Sequence, residues 1–261
     1  VTSKRRVAIA LGNLAYMAQL HIGALQAAEA NLRRSIALCQ EIEDEFDEAV
    51  AHKELGRLLA YRGVWAESAS EIDKALELDE KDGVIQGQGI SWAYRALAAL
   101  LQVRAGEASA AAPAVAAAQR ALDLANETAR THYPHPRDYV RAYWLLGAAH
   151  RVNGDLAQSD THLSEALTRC RTINMVDHEA DILLDLARLR AAQGQGDTAL
   201  RLAQEALLIT ERSGYKLKGA DVRLFLAQRL LAQGDRAQAL AHAREARELA
   251  RCDGGEWVYW V

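Results

Sequence analysis

Residues 180–249 nearly repeat themselves when displaced by forty positions. Ala180-Asp181 falls on Ala220-Asp221, Leu186-Ala187 on Leu226-Ala227, and Ala192-Gln193-Gly194 on Ala232-Gln233-Gly234. Ala199-Leu200, Ala203 and Glu205-Ala206 fall on Ala239-Leu240, Ala243 and Glu245-Ala246. A fixed period of this length is the mark of a solenoid, in which each unit buries its apolar face only against its neighbours. Every unit carries two apolar patterns of helical period broken at a glycine, which predicts a helix–turn–helix. With proline at three residues and an excess of helix formers, the fold class expected is all-α: a right-handed solenoid of about six hairpins.

The same pattern extends outward from the two near-copies. Leu55-Gly56 and Leu146-Gly147 take the places of Leu186-Ala187 and Leu226-Ala227. A triplet follows in each second helix: Ser68/Ile72/Ala75, Ser159/Leu163/Ala166, Ala199/Ala203/Ala206 and Ala239/Ala243/Ala246. Small residues at such positions let helix axes cross closely while a larger one fills the groove beside them. The units expected are 5–44, 45–87, 88–131, 138–178, 179–218 and 219–255, as one domain over 1–261. A loose connector is expected at Gly83, Gly87 and Gly89, a second helix starting near Pro113, and an extended loop over Thr131–Asp138. Residues 256–261, with Trp257, Tyr259 and Trp260, read as the start of a further unit, an apolar end that packs on the sixth unit or mediates self-association. A chain that opens on Val1 and stops inside a unit reads as a piece of a larger protein.

Leu-Gly followed by a small–large–small triplet resembles the tetratricopeptide repeat, in a long, roughly forty-residue variety without its closing proline. The run Ser213-Gly214-Tyr215 through Cys252-Asp253-Gly254 resembles the C-terminal arrays of bacterial signal-transducing ATPases with numerous domains, the STAND class. That resemblance implies a sensor or partner-binding arm on a nucleotide-driven switch; no G-x-x-x-x-G-K-[ST] phosphate cradle occurs in this chain. The tetratricopeptide resemblance implies that first helices line the concave face. The inward positions in the second unit are then Val50, Lys53, Arg57 and Ala60, and in the fourth Arg141, Trp144, Ala148 and Arg151. Asp181, Leu184, Arg188 and Ala191 follow in the fifth unit, and Asp221, Leu224, Gln228 and Leu231 in the sixth. The third unit lacks a clear Leu-Gly, and Trp92 and Arg95 are placed near the same surface. Arginine, tryptophan and leucine together compose a polypeptide-binding surface.

Other chemistries find little support. A net charge of −4 gives no basic footprint for nucleic acid or an anionic membrane. Cys39, Cys170 and Cys252 are widely spaced and fit reduced thiols of a cytoplasmic protein. His132-x-x-His135 lies in a proline-rich segment rather than on one helix face, so no metal is expected there. Asp181 and Asp185 are one helical turn apart, but general acid–base work also needs a pocket and a perturbed pKa. With no G-x-S-x-G or other nucleophile motif, the expectation is a non-enzymatic module with no cofactor, whose partner is a protein or peptide. A peptide-pheromone receptor built on similar repeats is the alternative.

Overall fold

The computed structural model describes residues 2–252. Among them there are twelve α-helices and no strand. They pair in sequence as six hairpins: α1 (Thr2–Leu14) with α2 (Leu25–Ile42), α3 (Glu45–Tyr61) with α4 (Trp65–Lys81), and α5 (Ile85–Arg104) with α6 (Ala111–Thr131). α7 (Pro136–Val152) pairs with α8 (Leu156–Thr172), α9 (Val176–Ala192) with α10 (Gly196–Ser213), and α11 (Lys216–Ala232) with α12 (Arg236–Ala250). Each hairpin packs on the next, as a solenoid requires. The aromatic stretch 256–261 lies outside the described residues.

The Leu-Gly signature has a steric origin. A Cβ built on Gly147 would lie 2.7 Å from Leu163 Cγ and 2.9 Å from the Leu163 backbone nitrogen. At Gly56 it would meet Ile72 Cγ1 at 2.6 Å, and the Ser68 hydroxyl donates to the Gly56 carbonyl at 2.7 Å. The two helices of a hairpin therefore touch backbone to backbone, and the small members of each triplet, Ser68, Ser159, Ala166, Ala199 and Ala206, are wholly buried at the crossing.

Two local expectations change, and the helix start near Pro113 holds. The proposed loop over Thr131–Asp138 shrinks to His132–His135, because α6 runs through Thr131 and Pro136 opens α7, where its missing N–H costs nothing. A short 3-10 turn, Ala108–Ala110, leads into α6, with Pro113 in that helix's first turn. Of the three connector glycines only Gly83 sits in a turn; Gly87 and Gly89 are inside α5, and Gly87 makes room for the Asp79 carboxylate.

The array closes on itself. α1 continues into a π-helical turn, Ala15–Gln19, and the loop after it reaches the start of α11. The Lys216 N–H, which has no partner within its own helix, donates to the His21 carbonyl at 2.9 Å. The His21 and Tyr215 rings pack 4.9 Å apart. Leu20 and Leu25 share one core with Leu217, Ala220, Ala250 and Cys252, so the first and last hairpins bury apolar surface against each other. Across the middle, Arg104 of α5 grips Asp221 of α11 with both terminal nitrogens, one at 2.9 Å.

Candidate functional site

The inner faces of the first helices meet around the axis of the closed ring. Arg57, Arg141, Trp144, Asp181 and Asp221 come together there, with Tyr61, Tyr94, His178 and Lys218. This centre is plugged by side chains, leaving a void of about 50 Å³. Two guanidiniums lie over the Tyr94 ring, Arg57 at 5.1 Å and Arg141 at 5.7 Å from its centre, and the Tyr94 hydroxyl donates to Glu54 at 2.7 Å. Trp144 packs edge-on against His178 with centroids 5.5 Å apart.

Most of the converging charge is paired internally. Arg57 binds Glu54 at 2.7 Å, Arg141 binds Asp138 at 3.1 Å, and Lys218 binds Asp181. Asp185, only 5% exposed, accepts from Trp144 Nε1 at 2.8 Å, Arg188 at 3.0 Å and Arg151 at 3.3 Å. The two aspartates one turn apart therefore differ in character. Burial pushes both carboxyls up; at Asp185 the two arginines and the indole outweigh it and hold the pKa low, whereas at Asp181 Lys218 does not compensate and the pKa stays raised. Burial pushes His178 down to about 3 against the pull of Asp177, and His21 down to about 4.

Two wider mouths open from the plugged centre. One, about 350 Å³, is lined by Tyr16, Met17, Arg137, Arg141, Asp177 and Tyr215, where the π turn of the first hairpin faces the starts of α7, α9 and α11. The other, about 530 Å³, lies at the opposite ends of the first helices. Arg104, Arg151, Arg188 and Arg229 surround it, over an apolar wall of Val103, Val152, Leu224 and Phe225, with Gln228 at the rim.

Most of the row expected to face inward in the fourth to sixth units faces the interior. Arg141, Trp144, Ala148, Arg151, Asp181, Leu184, Arg188, Ala191, Asp221, Leu224 and Gln228 all line the interior or its mouths. Leu231 is exposed and lines neither mouth. Lys53, Trp92 and Arg95 are corrected. Lys53 is buried on Asp79 of α4 at 2.8 Å, and the residues of α3 that face inward are Glu54, Arg57 and Tyr61. Arg95 stacks on Trp92, 4.6 Å from ring centre, and pairs with Asp73 of α4, so both sit toward the second-helix layer. The inward row of α5 is Tyr94, Leu97, Leu101 and Arg104. Leu100 stands where the fourth unit has Gly147, so the landmark that fixes the register is missing from the sequence. Setting Arg104 opposite Arg151 at the C-terminal ends of α5 and α7 would have recovered it. Arg229 and Lys218 fall between the positions the repeat pattern marks and carried no signal.

Residues 138–211 match the model of the tetratricopeptide repeat family. The chain is 28% identical over 179 residues to the regulatory protein AfsR of Streptomyces griseus; the match covers 56% of this chain and 18% of that protein. Among solved structures, a Rap protein complexed with competence and sporulation factor has a TM-score of 0.66 at 13% identity, over 91% of this chain and 70% of that one. Aspartyl phosphate phosphatase F from Bacillus subtilis has a TM-score of 0.59 at 10% identity, over 98% and 74%. A STAND protein with a tetratricopeptide repeat sensor from Pyrococcus horikoshii has a TM-score of 0.56 at 14% identity, over 99% of this chain and 42% of that one. At these identities the structures speak for the fold.

Proposed function

We propose that this array of tetratricopeptide-type hairpins is the partner-binding arm of a larger bacterial signalling protein and takes a polypeptide at the inner surface. The observation that carries the reading is the 530 Å³ mouth: successive first helices deliver arginines and apolar side chains to one concave opening, a composition suited to protein recognition. Its similarity to a regulator many times longer than the matched segment supports an arm rather than a whole protein, and the STAND sensor with the same fold supports a place beside a nucleotide-driven switch. The array works as a scaffold rather than a catalyst, because Asp185, Asp181 and His178 are each engaged by neighbouring side chains. No described helix is long and apolar enough to cross a membrane. The Rap fold likeness keeps a second reading in view, a peptide-pheromone receptor, which would use the same inner surface.

Gln228 is exposed at the rim, and the three cysteines are buried, so a single new thiol can be labelled selectively. Gln228→Cys carrying a photo-cross-linker should capture a polypeptide from source cells, or a separated domain of the parent protein. Gln204→Cys, at an exposed position of the second helix α10, should not. Equal capture by both, or capture from Gln204→Cys alone, would move recognition to the outside of the array.

A further inference from the structure

The larger mouth carries more positive charge than its walls balance. Arg104 is matched by Asp221, and Arg151 and Arg188 share Asp185. Arg229 has no carboxylate partner among the described residues; its guanidinium lies 5.9 Å from the Phe225 ring centre. Among the described residues, four guanidiniums therefore face two carboxylates, leaving two positive charges over. Among the described residues the Nε atoms of Arg151 and Arg229 are both buried without a hydrogen-bond partner, so neither guanidinium is fully satisfied from within the array. Burial lowers the pKa of Arg151 even beside Asp185, so the local carboxylate does not fully offset the loss of solvent. Leu224 and Val152 supply apolar surface next to these donors.

We propose that this mouth binds an acidic polypeptide segment, two neighbouring carboxylates seated on Arg188 and Arg229 with the apolar side chain between them against Leu224. This rests on the polypeptide reading above and adds the chemistry of the partner. A carboxylate suits the site because a guanidinium offers it two parallel N–H donors, the geometry Arg104 already makes with Asp221. Arg229 is the informative position to alter: it holds no ion pair, so removing its charge orphans no carboxylate.

The test uses the whole chain and two short fluorescein-labelled peptides, acetylated and amidated at their ends, that differ only in a central Asp-Leu-Glu or Asn-Leu-Gln. Binding is followed by fluorescence anisotropy. The acidic peptide should bind about tenfold or more tighter than the neutral one, as expected for a charge-assisted hydrogen bond gained. Arg229→Gln should lose about that factor for the acidic peptide alone, with unchanged melting. Arg201→Gln, the same charge change at an exposed position of α10, should bind like the parent. If the two peptides bind alike, or Arg229→Gln binds as the parent does, the acidic-peptide assignment is overturned while the polypeptide reading stands. If neither binds and Gln228→Cys cross-links nothing, both fall. Displacement of the peptide by equimolar glycerol phosphate would reassign the mouth to phosphate esters and overturn the proposal.

Discussion

Asp185→Asn tests whether the inner charges are a structural network or a set of solvated groups that happen to lie close. The carboxylate accepts three donors, from Trp144, Arg151 and Arg188, and is 5% exposed. Asparagine keeps the shape but loses the charge, and its amide turns N–H groups toward a guanidinium. Breaking a fully buried pair by removing one partner costs about 3–5 kcal/mol. The side chains of Arg151 and Arg188 are each 18% exposed, so water recovers part of that. A destabilisation of about 2–4 kcal/mol is expected, a large share of the roughly 5–15 kcal/mol that holds an ordinary domain together. The assay is urea unfolding followed by circular dichroism, with m-values compared to show that the cooperative unit is unchanged. Acid supplies a second readout with a definite sign. The pKa of Asp185 is lowered from 3.8 in the folded chain. Its contribution is therefore complete above the unfolded value and lost as pH falls through the folded one. The gap between parent and variant should persist from neutral pH down to about 4 and close below it. A gap under about 0.5 kcal/mol at neutral pH would refute the network, since that is the range of ordinary surface substitutions.

Two further predictions concern packing and protons. Gly147→Ala should cost about 1–3 kcal/mol by overpacking, despite better helix propensity, because the new Cβ meets the Leu163 backbone nitrogen at 2.9 Å; Gly196→Ala, with nothing within 4 Å, should be neutral or slightly stabilising in the same denaturation assay. His21 and His178 titrate from the ordinary 6.5 down to about 4 and about 3, so the unfolded chain takes up their protons first. Stability should therefore fall on acidification below about pH 6.5, by up to about 1.4 kcal/mol per pH unit for each histidine, and His178→Phe should flatten the slope measured by urea titration across pH 4–6.5.

The repeat by itself determined the hairpins, because identical spacing of small and large residues can be satisfied only by identical helix crossings. Ala199, Ala203 and Ala206 announced their burial, as did Ser68, Ile72 and Ala75. Gly147 and its counterparts Ala187 and Ala227 anchor the register, and from them the tetratricopeptide resemblance implies the inward rows of the fourth to sixth units, Leu231 excepted. Where Leu100 replaces that landmark the sequence does not mark the register, and Trp92 and Arg95 lie toward α4 rather than on the inner side of α5. Only the tertiary structure decided how far the array curves. Curvature is the sum of many small rotations between hairpins, each set by packing too fine to read from residue type. That sum brings His21 to Lys216 and Arg104 to Asp221, residues 117 positions apart in the latter case. It also turned most of the expected open groove into a plugged centre, where Arg57, Arg141 and Trp144 are held by Glu54, Asp138 and Asp185. What stays open is the end where, among the described residues, arginines from four first helices outnumber the aspartates that face them, a surplus that no single repeat contains.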